Sequence, residues 1–529
     1  MPQKQDSRKP YYHPIIYVRG FAATQGEIEE TVADPYMGFN LGSTKSRKAW
    51  DGKVQRFYFE SPLVRLMSDH DYEDVYVDGD DLMGAALSKE PVPYQCIVIY
   101  RYYDDVSQDF GSGQGGSPIE QFARGLDALI LRLRDRVCAN PDNNVTKDGF
   151  KCYLIAHSMG GLICRSFLQK YGSREAIEKV NKVFTYATPH NGIDMRIVRN
   201  IPGWLTFGDV NNFNREKIAE YLGLPPGDDV SVITPFSPDR IFNLVGTNAR
   251  DYAVAAGLSS WAVGDASDGL VRIENATTHG PGAAGRQSPR AFVNRSHSGH
   301  YGIVNSEEGY QNLTRFLFGA VRADGILDIN DITLPAEVEA EFNAGKHIKA
   351  SYQFELAVSV RGGQWQMTRR EARENSAIFR TYDQLFPGDD KTRRPPDRSQ
   401  SPHLFSIFLD PEKSMANDKS VSFALELKAL VPDYTVDGAL FLKRHYEGGS
   451  IYNQMIVVTA TPDPNALGKF RISYGFQDDG PGQAARLANT YPIGEVGDMP
   501  AGLAFDIPIA QQTRPGLQGT LRIEVRNWQ

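Results

Sequence analysis

Cysteine is scarce in this chain, with only four in 529 residues: Cys96, Cys138, Cys152 and Cys164. So few, at these spacings, make neither a disulfide framework nor a zinc site. Cys96 and Cys152 fall in runs that read as buried strands, and the other two in runs that read as helices. Buried free thiols are expected, and these suit a reducing compartment. A basic excess is lacking too. Lys and Arg number 57 against 65 Asp and Glu, a net charge of −8. That gives no electrostatic case for nucleic acid or for strong binding to an anionic membrane. No apolar run approaches the length of a membrane span, and Met1 to Pro10 lacks the apolar core of a signal peptide. The expectation is a cytoplasmic protein, or one exported without a cleaved signal.

What is present centres on residues 150–164, Phe150-Lys-Cys-Tyr-Leu-Ile-Ala-His-Ser-Met-Gly-Gly-Leu-Ile-Cys164. Lys151 to Ala156 is aromatic and aliphatic, long enough for a buried strand. Two glycines follow, and Leu162 to Tyr171 reads as a helix. Ser158 sits between them, flanked by the small residues Ala156 and Gly160. Such a sharp strand-to-helix turn pushes one hydroxyl above the sheet edge and is called a nucleophile elbow. A small-x-Ser-x-Gly match alone is common in loops; the strand before and the helix after give this one its meaning.

The surrounding pattern is strand, helix, strand, helix, which predicts a mostly parallel sheet with helices on both faces. Tyr12 to Val18 reads as the first strand, broken by Arg19-Gly20-Phe21-Ala22. Residues 23–93 are polar and aperiodic and read as an insertion over the core. Gln95 to Arg101 is the next buried strand. The glycine-rich loop at 111–117 resembles a phosphate cradle, but no Lys-Ser/Thr pair follows it, so it reads as a connector. Ser117-Pro118-Ile119-Glu120 opens a helix with a capping box and Pro at the first helical position. Its stripe is Phe122, Leu126, Leu129, Ile130 and Leu133. Strands are also expected at Lys182 to Ala187, Asp239 to Thr247 and Arg290 to Arg295, with a closing helix from Ser306. Residues 196–232, with Trp204, Phe207 and Leu222, read as a cap, or equally as ordinary packing helices.

Active sites of parallel sheets lie at the carboxyl ends of the strands. After the Asp239 strand, Asp268-Gly269-Leu270-Val271 can present a carboxylate from a turn; Asp265 is the alternative acid. Between that acid and the closing helix stand three histidines, His279, His297 and His300. His279 sits in a Pro/Gly-rich loop and drops out. His300 leads directly into the helix and is preferred as the base, with His297 the alternative. His190 follows the nucleophile by one strand only and has no obvious acid partner, so it reads as structural or substrate-lining.

Nucleophile, acid and base in the order Ser158, Asp268, His300 is the order of an alpha/beta hydrolase. Residues 14 to about 319 resemble the lipase branch of that family, including GPI inositol-deacylase-like and triacylglycerol-lipase-like enzymes. The matching pieces are Ile15-Ile-Tyr-Val-Arg-Gly-Phe21, Ala156-His-Ser-Met-Gly160, Thr188-Pro-His-Asn-Gly192, Ser267-Asp-Gly-Leu-Val271 and His300 with its helix. Members usually carry His-Gly where this chain has Arg19-Gly20, and Ala156 replaces the first elbow glycine. The resemblance implies a serine hydrolase acting on carboxylic esters of lipid-like substrates. Its oxyanion hole would come from the backbone N–H groups of Met159 and Phe21 (or Ala22), with no metal or cofactor. A phospholipase delivered against the membranes of another cell, in peripheral contact with lipid, is one alternative. A non-catalytic binding or scaffold protein on the same fold is another.

The expected catalytic domain is 11–325, with a β-rich accessory domain over 335–529. In the latter, strands are predicted at Ile348 to Arg361, Leu404 to Leu409, Ser420 to Leu430, Gln454 to Thr461, Lys469 to Phe476, Ala504 to Ile509 and Thr520 to Val525. Short strands between turns suggest a β-sandwich. Glu337 to Ala344 reads as a connecting helix and Phe386 to Pro402 as a mobile loop. No catalytic constellation appears in this half, and its partner is open.

Overall fold

The computed structural model describes residues 12–20, 43–48, 54–59, 61–75, 92–100, 102, 118–193, 213–251, 266–282, 285–298, 302–363, 365–388, 395–411, 414, 416–437, 443–462, 470–479 and 484–529. The chain divides into two compact units, residues 1–290 with 294–318, and residues 291–293 with 319–529.

Strands of the first unit are β1 (Ile15–Val18), β2 (Ser43–Lys48), β3 (Val54–Phe59), β4 (Glu73–Asp74), β5 (Cys96–Tyr100), β6 (Cys152–His157), β7 (Val180–Tyr186) and β8 (Ile241–Gly246). β2 and β3 form a separate hairpin. The others, with β9 (Arg290–Val293), lie in one seven-stranded sheet, ordered β4-β5-β1-β6-β7-β8-β9. Pairing is parallel from β4 through β8. All four residues of β1 and the first five of β6 are buried. Buried-on-both-faces strands read as continuous apolar runs rather than alternation, which is why the sequence shows them so clearly.

The chain leaves β1 for β5 on one side, then returns past β1 to place β6 on the other. The order therefore reverses between β1 and β6. A crevice opens at such a switch point, outside the carboxyl ends of the two strands. Gly20 and Ser158 follow those ends.

Helices cover the sheet by their apolar stripes. Helix α1 (Pro62–His70) is capped by the Ser61 side chain and buries Leu63, Leu66 and His70. Helix α2 (Pro118–Ala139) buries Ile119, Phe122, Leu126, Leu129, Ile130, Leu133 and Val137, a 3.6-residue stripe. Helix α3 (Met159–Ser166) continues as a π-helical turn over Phe167–Tyr171. Helix α4 (Arg215–Leu222) and helix α5 (Glu307–Phe318) follow, besides a single turn at Arg174–Ile177. At the end of α5, the buried Lys182 ammonium donates to the carbonyls of Phe316 (3.2 Å) and Leu317 (2.9 Å). These are last-turn acceptors with no partner inside the helix.

One expectation changes here. Part of the 23–93 segment is not an overlying insertion: α1 packs its apolar face inward, and β4 extends the sheet by pairing with β5. A nine-residue helix and a two-residue strand are too short for periodicity to reveal. The Ser117 cap, and residues 196–212 of the expected cap, lie outside the described residues.

Among the described residues of the second unit, the strands pair antiparallel. One sheet runs β14-β10-β21-β20-β19, with β10 at Val321–Thr333, β14 at His403–Leu409, β19 at Thr490–Ile493, β20 at Gly502–Ala510 and β21 at Gly516–Asn527. The other runs β12-β11-β15-β16-β17-β18, with β13 also on β11. Its members are β11 (Ile348–Val360), β12 (Gln366–Arg370), β13 (Ile378–Thr381), β15 (Val421–Asp437), β16 (Lys443–Pro462), β17 (Phe470–Phe476) and β18 (Arg486–Leu487). Leu327, Phe405, Leu521 and Ile523 of the first sheet share one apolar cluster with Phe354, Leu425, Leu427 and Ile456 of the second. Phe405 meets Phe423 edge-on at 5.6 Å between ring centres. The sequence predicts no strand at β10, which runs across the expected boundary between the catalytic domain (to 325) and the accessory domain (from 335). Its acidic residues Asp324, Asp328 and Asp331 hide the alternation, yet Asp324 is itself buried beside Arg322. Within the expected loop at 386–402, Arg398–Gln400 forms a short 3₁₀ turn, while 389–394 lie outside the described residues.

Candidate active site

β6 ends at His157, and Ser158 takes φ 52° and ψ −123° before α3 begins at Met159. Positive φ costs energy in any non-glycine residue and persists only where its surroundings over-determine it. Three contacts do so here. The Ser158 N–H donates to the Tyr186 carbonyl at 2.9 Å, fixing the elbow to β7. A Cβ on Gly160 would fall 2.2 Å from the Val18 carbonyl oxygen and 2.6 Å from that of Arg19. One on Gly161 would fall 2.1 Å from Thr188 Oγ1. The two glycines thus let the helix start press against the end of β1 on one side and the Thr188 turn on the other.

The acid arrives from the loop after β8. Asp268 is buried, at 1% exposure. Its Oδ1 accepts from the backbone N–H groups of Leu270 (3.0 Å) and Val271 (2.7 Å). Gly269 completes the turn at φ 103°, where glycine is at ease. That leaves Oδ2 for an imidazole, 2.9 Å from Nδ1 of His297. Nε2 of the same ring is 3.0 Å from Ser158 Oγ. An ionised carboxylate only accepts, so Nδ1 carries the proton and Nε2 is free to accept from the serine hydroxyl. The backbone repeats the link, for the His297 N–H donates to the Asp268 carbonyl at 2.9 Å.

The structure therefore brings together Ser158, Asp268 and His297. His297, the alternative base of the sequence reading, is the described histidine that meets both partners. His300, Asp265, Phe21 and Ala22 lie outside the described residues. His297 reaches the acid because its backbone runs against the Asp268 turn. Met159 is the first residue of α3, with its N–H at the helix start.

The other histidines are placed differently. His279 is 3.0 Å from Asp229 Oδ2 and faces the Gly280 carbonyl. His190 is fully buried, its Nε2 3.3 Å from Thr185 Oγ1. Burial, and then the charge of Arg165, hold it well below the ordinary imidazole value, so it stays neutral. Arg165 itself passed unnoticed in the sequence. It is 1% exposed and donates to the carbonyls of His190 (3.0 Å) and Val232 (2.9 Å). Burial pushes it down to about 10. Its guanidinium ties the turn after β7 to the elbow helix. Tyr102, also fully buried, donates its hydroxyl toward the carbonyls of Arg19 (2.9 Å) and Gly20 (3.0 Å). No sequence signal marked either.

The second unit holds another Ser, His and Asp in proximity. Ser406 donates directly to Asp324, and His403 Nε2 faces both, at 3.3 and 3.4 Å. One nitrogen meeting both partners cannot relay a proton between them. Against the cost of burial, Arg322 and then His403 hold the Asp324 carboxyl well below the usual range. This cluster is a structural ion pair inside a sheet face. Among the described residues, no group of His, Cys, Asp or Glu is placed to hold a metal ion.

The sheet order, the switch point and the elbow resemble an α/β-hydrolase fold, with antiparallel sheets added. No family model matches the chain, and no curated protein does. Among solved structures, the lipase BlEst2 of Bacillus licheniformis in propeptide form aligns over 88% of this chain and 97% of its own, at 10% identity and TM-score 0.28. The lin2722 gene product of Listeria innocua aligns over 58% of this chain and 94% of its own, at 12% identity and TM-score 0.26. Likeness at that level carries no weight for function; the geometry of the three side chains does.

Proposed function

We propose that this chain is a serine hydrolase that cleaves carboxylic esters through an acyl-enzyme, with Ser158 the nucleophile, His297 the base and Asp268 the orienting acid. One observation carries the reading: a hydroxyl on a strained elbow lies 3.0 Å from an imidazole that is 2.9 Å from a buried carboxylate. As Ser158 attacks the ester carbonyl, His297 takes its proton, and Asp268 stabilises the imidazolium while holding the tautomer. His297 then returns the proton to the departing alkoxide, and water repeats the sequence to free the acid. The Met159 N–H supports one side of the oxyanion hole, and each such donor is worth about 3 kcal/mol in comparable sites. This route uses no cofactor. A lipid-like acyl chain is the preferred substrate class, on the strength of the lipase-like motifs and the Trp, Phe and Leu content of residues 196–232.

A fluorophosphonate probe tests the reading. Wild type should form an adduct at Ser158, and Ser158→Ala should lose both adduct and turnover, the latter by about 10⁶-fold, with thermal unfolding unchanged. Hydrolysis of neutral esters against phospholipids then separates lipase from phospholipase. A folded wild type that neither labels nor cleaves any ester would leave the scaffold reading standing instead.

A further inference from the structure

We propose that His157, the residue before the nucleophile, is a positioning residue that acts as a neutral Nε2–H donor and fixes the backbone of the catalytic base. This inference rests on the serine-hydrolase reading above and deepens it.

Nε2 of His157 lies 3.0 Å from the carbonyl oxygen of His297. A carbonyl only accepts, so this nitrogen carries the proton and Nδ1 does not, provided the ring is uncharged. The two imidazoles are 5.0 Å apart between centres, tilted by 41°. On its other side the ring closes over the turn after β1, since a Cβ on Gly20 would fall 3.2 Å from His157 Nδ1. His157 therefore bridges the two pieces of chain that flank the nucleophile: the turn after β1 and the loop carrying the base. It does so from the last position of β6, where strand geometry points it opposite to its neighbours. The His297 backbone is thereby held twice, by its N–H on the Asp268 carbonyl and by its carbonyl on His157.

Charge is the reason a neutral ring belongs there. His297 must become an imidazolium as the serine is deprotonated, and a second cation 5.0 Å away would oppose that step. Among the described residues, the titratable and charged groups facing His157 are His297 itself, with Asp268 behind it, and Arg19 from the turn after β1. Burial, then the proximity of His297, hold His157 well below the ordinary imidazole value; its bond to the His297 carbonyl opposes this and Arg19 adds to it. An Asn or Ser here would supply a donor too short to cross the gap, and an Arg would supply the donor with an unwanted charge.

The experiment compares His157→Phe, which keeps a ring and loses the donor, with His157→Gln, whose amide restores a neutral donor at similar reach. With a short-chain chromogenic ester, His157→Phe is expected to lose kcat by about tenfold to a hundredfold with KM within about twofold, and His157→Gln to regain most of that loss. The acid limb of log kcat/KM against pH in wild type is expected to have a slope of one, the mark of a single essential base. Equal kcat in wild type and His157→Phe, a Phe defect that Gln does not relieve, or a wild-type acid limb of slope two would each overturn the assignment. Fluorophosphonate labelling of wild type at Ser158 keeps that failure separate from failure of the hydrolase reading itself, in which the probe would not react at all.

Discussion

Replacing Gly160 by alanine asks how tightly the elbow is set against the neighbouring strand. The added methyl would start 2.2 Å from the Val18 carbonyl oxygen and 2.6 Å from that of Arg19. Close carbon–oxygen contacts settle near 3.3 Å, so the two backbones must part by about 1 Å. The strand cannot easily yield, because Val18 is paired to β5 on one side and β6 on the other. Displacement falls instead on the start of α3 and on the turn after β1, the two segments expected to hold the oxyanion. A misplacement of about 1 Å costs about a hundredfold in rate, or roughly 2.7 kcal/mol of barrier, besides about 1–3 kcal/mol of overpacking in stability. Steady-state hydrolysis of a chromogenic ester, beside thermal unfolding of the same preparation, separates the two. Gly161→Ala is the control: its methyl meets Thr188, away from β1, and should lower stability with a smaller loss of kcat. Gly160→Ala with kcat within twofold of wild type and an intact fold would refute the close-approach argument.

His297→Ala should lower kcat about 10⁶-fold, as Ser158→Ala does, while His300→Ala should keep most of it; equal losses, or the reverse order, would remove His297 as the base. His13 offers a stability test. Burial, then the charges of Lys182 and Lys151, lower it to about 4 from 6.5, with its Nδ1 on the Tyr94 hydroxyl at 2.6 Å. Between those values the unfolded chain binds a proton that the native ring refuses. Stability is therefore whole above pH 6.5 and falls as pH drops toward 4, by about 3 kcal/mol in all. His13→Leu should flatten that part of the stability–pH curve, measured by denaturant unfolding; an unchanged slope would refute it.

Much of the first unit was legible because its strands are buried on both faces and its helices carry clear stripes. Cys96–Tyr100, Cys152–His157 and Glu307–Phe318 lie within a residue or two of where composition places them. The stretch around Ser158 was legible for a related reason: its small-x-Ser-x-Gly turn sits between a buried strand and a helix. β4, α1 and β10 were not, being short or carrying polar residues whose burial depends on distant partners such as Arg322 for Asp324.

The order of serine, acid and histidine along the chain, and the apolar runs that become strands, were set by local sequence, because propensity and periodicity act over a few residues. Which histidine meets Asp268 was decided by tertiary structure alone. His297 and His300 are alike in composition and neighbourhood, and only the path of the chain from β9 brings the backbone of residue 297 against the turn of residue 268. The same holds for His157, Arg165 and Tyr102. Each acts on a carbonyl of a segment remote in sequence, and a hydrogen bond to a backbone oxygen leaves no mark in the identity of the residue that accepts it.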